Sequence, residues 1–211
     1  MLHGQGEKNL IASIQTKFAY VIEHLEQEIG EWLLIEYRHA SQIVGKDRLM
    51  FTNVEKPKDV AELSKLGTAE SKSFVEIFRA REIVILDPKA KTPLRHADLE
   101  AKRGIVIGGI LGDESAKGRT RALVTTRFPE AVARNLGFGQ FTIDGAVYMA
   151  KLVCEGFRLD EIPVKKGLNV RMSKHHSVYL PYVYPLKNGK PVVHKALIEY
   201  LHIELNSKNR R

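Results

Sequence analysis

Cysteine is almost missing from this chain of 211 residues. Cys154 stands alone, which excludes an internal disulfide and fits a reducing cytosol. Long apolar runs are missing too. None approaches the roughly 20 residues that span a bilayer, so no membrane segment is expected. The opening residues MLHGQGEKNL have neither a basic stretch nor a long apolar core, so no secretory signal is expected either. The 8 histidines show no ligand spacing; His175 and His176 are adjacent and cannot share one face of a strand or helix. No metal site is expected.

Two phosphate-binding signatures are also absent. There is no G-x-x-x-x-G-K-[ST], which removes a Walker-type loop. The stretch IVIGGILGDE, residues 105–114, has glycines but not the G-x-G-x-x-G spacing. Gly109 and Gly112 fit its last two positions, yet Ile107 stands where the first glycine belongs. The loop also follows the fourth predicted strand, not the first. Both familiar nucleotide readings are disfavoured.

What is present is an ordinary globular composition, 44% apolar and 27% charged. The 33 Lys and Arg against 25 Asp and Glu leave a net charge of +8. Such a surface attracts polyanions, although solubility alone would account for it. Residues 7–16 read as a short helix or a loose extension. FAYVI (18–22), RLMFTNV, EIVILD (82–87, stopped by Pro88) and GIVIGG read as four strands. Ile29, Trp32, Leu33, Tyr37, Ala40 and Val44 recur at helical spacing. PKDVAELSKLG has the Pro and Gly of a helix start and stop. Further on, TRALVTTRF reads as helical, AVARNL as a short strand, and TIDGAVYMAKLVCEGF as a helix capped by Thr142. Extended segments and a terminal helix complete the chain. The strands are continuous apolar runs separated by helical patterns, which predicts an α/β fold with a mostly parallel sheet covered on both faces. No repeat or linker interrupts it, so one domain is expected over residues 18–204, with a basic tail at 205–211.

Three strand-end turns are rich in glycine and carboxylate but poor in lysine: LDPKA, GGILGDE and RNLGFGQFTIDGA. Ligands of open parallel sheets sit at the carboxyl edge of the strands. Glycine lets the backbone approach an adenine edge, and Asp87 and Asp113 favour a positive group. Any one turn reads equally as ordinary. All three together point to a flat heteroaromatic ligand with a cationic or neutral tail.

YVIEHLE, LDPKA, GGILGDE with GRTRAL, and ARNLGFGQFTIDGAV together resemble the SPOUT methyltransferase superfamily. More narrowly they resemble an archaeal and eukaryotic family labelled as predicted SAM-dependent RNA methyltransferases, which includes a eukaryotic enzyme acting on an arginine of ribosomal protein S3. The resemblance runs from about Phe18 to about Pro191. It implies a C-terminal trefoil knot with S-adenosylmethionine held mainly by backbone groups. Carried onto this chain, the cradle is Gly108, Gly109, Ile110, Leu111 and Gly112, then Leu136, Gly137, Gln140 and Phe141, with Thr142 and Ile143 opening a helix and Asp87 and Pro88 alongside.

Alignment of the nucleophile with the S–CH3 bond is the protein's main task, together with accepting a proton. A guanidinium also needs carboxylates to orient it. Asp113 is the first candidate base or orienting group, and Glu23, which follows the first strand, the second. Glu114 reads better as a cap. Glu26 is a weaker substrate-binding candidate, and Arg119 is a candidate anchor for a methionine carboxylate or an RNA phosphate. Asp144 reads as a residue that offsets its helix dipole. Lys165, Lys166, Arg171 and Lys174 beside the tyrosines of YLPYVYP have an RNA-binding composition, or else are a solvated face beside core tyrosines. The expected activity is methyl transfer to an arginine of a ribosomal protein by a cytoplasmic monomer or homodimer. Transfer to RNA and a non-catalytic ribosome-binding module are the competing readings.

Overall fold

Six of the apolar or short extended segments become one sheet. The computed structural model describes residues 18–111, 119–137, 139–174 and 176–208. In it, β1 (Ala19–His24), β2 (Leu49–Thr52), β3 (Thr68–Ala69), β4 (Ile83–Leu86), β5 (Gly104–Gly109) and β6 (Val132–Arg134) lie in the order β3-β2-β1-β5-β4-β6. Every neighbouring pair is parallel, with Tyr20 opposite Leu49 on one side and Ile105 on the other. Successive residues face opposite sides of the sheet. Tyr20, Ile22, Phe51, Val84, Ile105 and Ile107 therefore join one buried cluster, whereas Val21, Ile83, Ile85 and Val106 join another. Both faces are dry, which is why these strands read as unbroken apolar runs.

Helices α1 (Glu31–Val44), α2 (Pro57–Leu63), α3 (Phe74–Ile77), α4 (Arg119–Leu123) and α5 (Ile143–Cys154) link the strands. α1 and α5 pack against each other, and both contribute to the first cluster through Leu33, Tyr37, Ala40, Val44, Val147 and Ala150. The far face is closed by Phe74, Phe78, Val124 and Ala131. α1 stops at Gly45, whose φ of 85° suits glycine. α5 starts as the sequence predicts, with Thr142 Oγ1 accepting from the Gly145 N–H at 3.2 Å.

The last third forms a second, antiparallel sheet of β7 (Val164–Arg171), β8 (Ser177–Lys187) and β9 (Lys190–Pro191), followed by α6 (Lys195–Lys208). Its register slips between Lys166 and Leu168, where Gly167 lies under the Tyr179 ring. This sheet is tied to the main body where the Val183 N–H donates to the Gln140 carbonyl at 2.8 Å. α6 returns to α1, with Trp32 and Tyr200 edge to face at 6.4 Å between ring centroids.

Candidate active site

Three chain reversals at the carboxyl edge of the parallel sheet meet around one cleft. Leu86–Pro88 leaves β4, residues 107–110 end β5, and Leu136 with residues 139–143 leads into α5. With Thr120, Arg134 and Ala146 they bound about 520 Å³ of space open to solvent. Backbone bonds hold the reversals together: Asp87 N–H donates to the Arg134 carbonyl at 2.9 Å, and Leu94 N–H to the Asn135 carbonyl at 2.8 Å. Gly108 lines the cleft, where a Cβ would come within 3.4 Å of Thr120 Oγ1. Its neighbour Gly109 is packed elsewhere. A Cβ there would fall 2.5 Å from Tyr37 Oη and 2.7 Å from the Glu23 carbonyl. Arg134 donates from Nη2 to Asp98 at 2.7 Å, yet its Nε is buried at the cleft wall without a partner.

The carboxylates around this edge are differently employed. Asp87 is 1% exposed, and its oxygens accept from Lys89 N–H at 2.8 Å, Arg121 Nε at 3.1 Å and Thr125 Oγ1 at 3.0 Å. Its charge is answered by the protein itself. Glu23 is fully buried and accepts from Thr52 Oγ1 at 2.5 Å, Ser73 Oγ at 2.5 Å and Phe74 N–H at 3.1 Å. It fastens β2 and the start of α3 to β1. Glu26 accepts from Leu111 N–H at 2.9 Å and lies 3.8 Å from Arg119 Nη1. Arg119 in turn donates to the Leu111 carbonyl, so the pair braces the end of the cradle.

A second, smaller pocket of about 380 Å³ adjoins the cleft and shares Thr142 with it; its other walls are Trp32, Glu36, Leu111 and Tyr182. Glu36 Oε1 accepts from Trp32 Nε1 at 2.7 Å and Oε2 from the Ile143 N–H at 2.9 Å. Burial, and then the charge of Asp144, push the Glu36 carboxyl up to about 8. Asp144 itself bonds His39 Nδ1 at 2.6 Å across the α1–α5 seam. The arrangement joins a cleft built of main chain to a pocket with two aromatic rings and one buried acid.

A family model described as Protein arginine N-methyltransferase SFM1-like matches residues 19–208. The chain belongs to that family. It is therefore a methyltransferase. Protein arginine N-methyltransferase SFM1 of Saccharomyces cerevisiae is 29% identical over 198 residues, covering 86% of this chain and 93% of the relative. The crystal structure of yeast SFM1 complexed with SAM superposes with a TM-score of 0.82 at 26% identity, covering 94% of this chain and 96% of that one. The complex with SAH gives 0.81 at 27% identity, over 87% and 94%. A dual specific Trm10 from Thermococcus kodakaraensis shares the fold alone, with a TM-score of 0.51 at 16% identity over 68% and 96%.

For this SFM1-like chain, the structure brings together Asp87, Pro88, Gly108, Ile110, Leu136, Gln140, Phe141, Thr142 and Ile143 around the cleft. Leu111 lines the adjoining pocket, and Gly137 lies on a neighbouring groove. Gly109 belongs to the packing behind the cradle rather than to its surface. Glu23, expected at the rim as a base, is enclosed instead, with hydrogen bonds to both oxygens. Asp144, expected to offset its helix dipole, stands in the first turn of α5, where it is 3% exposed and also bonded to His39. Gly112, Asp113, Glu114 and His175 lie outside the described residues. The acid that the sequence reading missed is Glu36. Its signal was there: it falls inside the apolar stripe of α1, four residues from Trp32 and from Ala40.

Proposed function

We propose that this chain transfers a methyl group from S-adenosylmethionine to an arginine side chain of a ribosomal protein. The single observation that carries the reading is the convergence of three strand-end turns on one cleft, with a buried carboxylate pocket opening beside it. The cleft suits the cofactor. Gly108 leaves its wall low, Gly139 has a φ of 86° and no room for a Cβ beside Val183, and Arg134 Nε is a buried donor without a partner. The main chain of 107–110 and 139–141 would hold the cofactor, Thr142 and Ile143 would floor the site, and Arg134 would meet its carboxylate. S-adenosylmethionine would supply the transferable carbon on a sulfonium, from which a neutral thioether is a good leaving group. The chain's own residues then align the acceptor nitrogen, exclude water and take a proton. Asp113, next in sequence to this cradle, remains proposed as an orienting acid.

A ribosomal target is supported by the +8 charge and by the exposed Lys165, Lys166 and Arg171 of β7, which suit a ribonucleoprotein. RNA as acceptor is the second reading, favoured by Tyr179, 58% exposed beside that basic strand. A ribosomal target supports the cytoplasm as the place of work. A knot fits the way residues 92–96 are stitched both to the chain ahead of α5 and to the last turn of α5: Asn135 N–H to the Thr92 carbonyl, and His96 Nδ1 to the Val153 carbonyl at 2.9 Å.

The test is to offer ribosomal subunits with a radiolabelled methyl donor and digest separately with RNase and protease. Methylarginine in the protein fraction is expected. Label lost only to RNase overturns the arginine reading in favour of RNA. No donor binding by calorimetry would leave a non-catalytic binding module instead.

A further inference from the structure

We infer that the pocket between Trp32, Glu36 and Tyr182 is the guanidinium subsite, Glu36 taking the charge and the two rings the flat faces of the group. This rests on the arginine reading above. The acceptor nitrogen must lie against the methyl carbon, and this pocket adjoins the cofactor cleft, the two sharing Thr142 in their walls. Each Glu36 oxygen already accepts one hydrogen bond, from Trp32 and from Ile143, which fixes the carboxylate plane. Each keeps a second lone pair, so two parallel N–H groups of a guanidinium fit where a lysine ammonium does not. Trp32 is held by that same bond and by the Tyr200 ring, so it presents a rigid surface for stacking.

Glu36 is buried, faces the pocket and, among the described residues, has no cation beside it. It is 3% exposed, and among the described residues no lysine or arginine pairs with it. The groups facing it from neighbouring elements are Asp144 of α5, with His39 and His194 behind, and Tyr182 and Tyr184 of β8. None of these is a fixed cation beside the carboxylate. Tyr184 Oη is buried there without a hydrogen-bond partner. An incoming guanidinium supplies the positive charge, and its arrival displaces the proton that burial and Asp144 keep on Glu36. During transfer the Nη–CH3 bond forms as the S–CH3 bond breaks, and the bonding pair stays on sulfur. The proton leaving Nη passes to the Glu36 carboxylate, which is basic enough to accept it.

Trp32 is the only tryptophan of the chain and therefore reports on its own pocket. The full-length protein, saturated with S-adenosylhomocysteine, is titrated with Nα-acetyl-argininamide while Trp32 emission is followed. A saturable change is expected, weaker by about ten-fold with Nα-acetyl-lysinamide. Glu36→Gln should lose about ten- to a hundred-fold in affinity for the arginine probe while its calorimetric affinity for S-adenosylhomocysteine stays near wild type. Binding of the arginine probe should release about one proton near pH 6.5 and almost none above about pH 9.5, a dependence that Glu36→Gln removes. The subsite is overturned if the wild type binds S-adenosylhomocysteine but Trp32 ignores the arginine probe, or if Glu36→Gln binds that probe equally well. Failure to bind S-adenosylhomocysteine overturns the methyl-transfer reading itself, and the subsite with it.

Discussion

Two buried glutamates show how neighbours decide what a residue is for. Glu23 accepts three hydrogen bonds, from Thr52, Ser73 and Phe74, all from segments it must hold in place. Glu36 accepts two and faces a pocket. Burial without a cation raises its carboxyl to about 8, against roughly 4.3 in an unfolded chain. The folded protein therefore keeps a proton that the unfolded chain gives up. The stability this represents is complete below about pH 4 and is lost as pH climbs towards about 8. Replacing Glu36 by Gln removes the dependence. Chemical denaturation at a series of pH values should show the Gln variant gaining on wild type by on the order of 2–4 kcal/mol between about pH 5 and pH 8. Parallel curves for the two proteins would mean that Glu36 is ionised throughout.

At the scale of elements, the end of β5 carries two adjacent glycines with separate duties. Gly108 faces the cleft, where added volume meets the Thr120 side chain and open space. Gly109 is pressed against Tyr37 Oη and the Glu23 backbone. A β-branched residue is at home in a strand, so Gly108→Val should keep the melting temperature within a few degrees yet weaken S-adenosylmethionine binding about ten-fold or more by filling the cradle. Gly109→Ala should do the reverse damage, costing about 2–3 kcal/mol of stability through overpacking. Calorimetry and thermal unfolding of the two variants separate the effects, and equal losses in both assays for both variants would refute the division. These glycines also mark how far the sequence could be read. Turn chemistry is local, so all three reversals and the Thr142 cap were legible. The union of Glu36 with Ile143, and of His39 with Asp144, was not, because those partners lie 107 and 105 residues apart. The antiparallel partnership of β7 and β8 and the two-residue β3 stayed hidden for related reasons: pairing is a long-range fact, and so short a strand has no period.

For the molecule as a whole, charge sets a problem. A protein of net charge +8 repels the cationic peptide that carries a target arginine, while the acid that would welcome it is sunk in a pocket. The exposed Lys165, Lys166 and Arg171 of β7 resolve this if the arginine is offered next to polyanionic RNA. Attraction to phosphate then brings the enzyme to its substrate, and the pocket needs to capture only the final side chain. The two ways of presenting an arginine should therefore respond to salt with opposite sign. On a free, lysine-rich peptide, screening relieves repulsion, and kcat/KM should rise modestly as salt increases. On an arginine presented by a ribosomal subunit, counterion release governs affinity. Three phosphate contacts predict a fall of roughly 20- to 40-fold between about 50 and 200 mM salt. Converting Lys165 and Lys166 to Glu should flatten that second curve while leaving the peptide curve no worse, since neither residue touches the cleft or the pocket. A subunit substrate whose turnover ignores salt would show that the basic strand plays no part in finding the target.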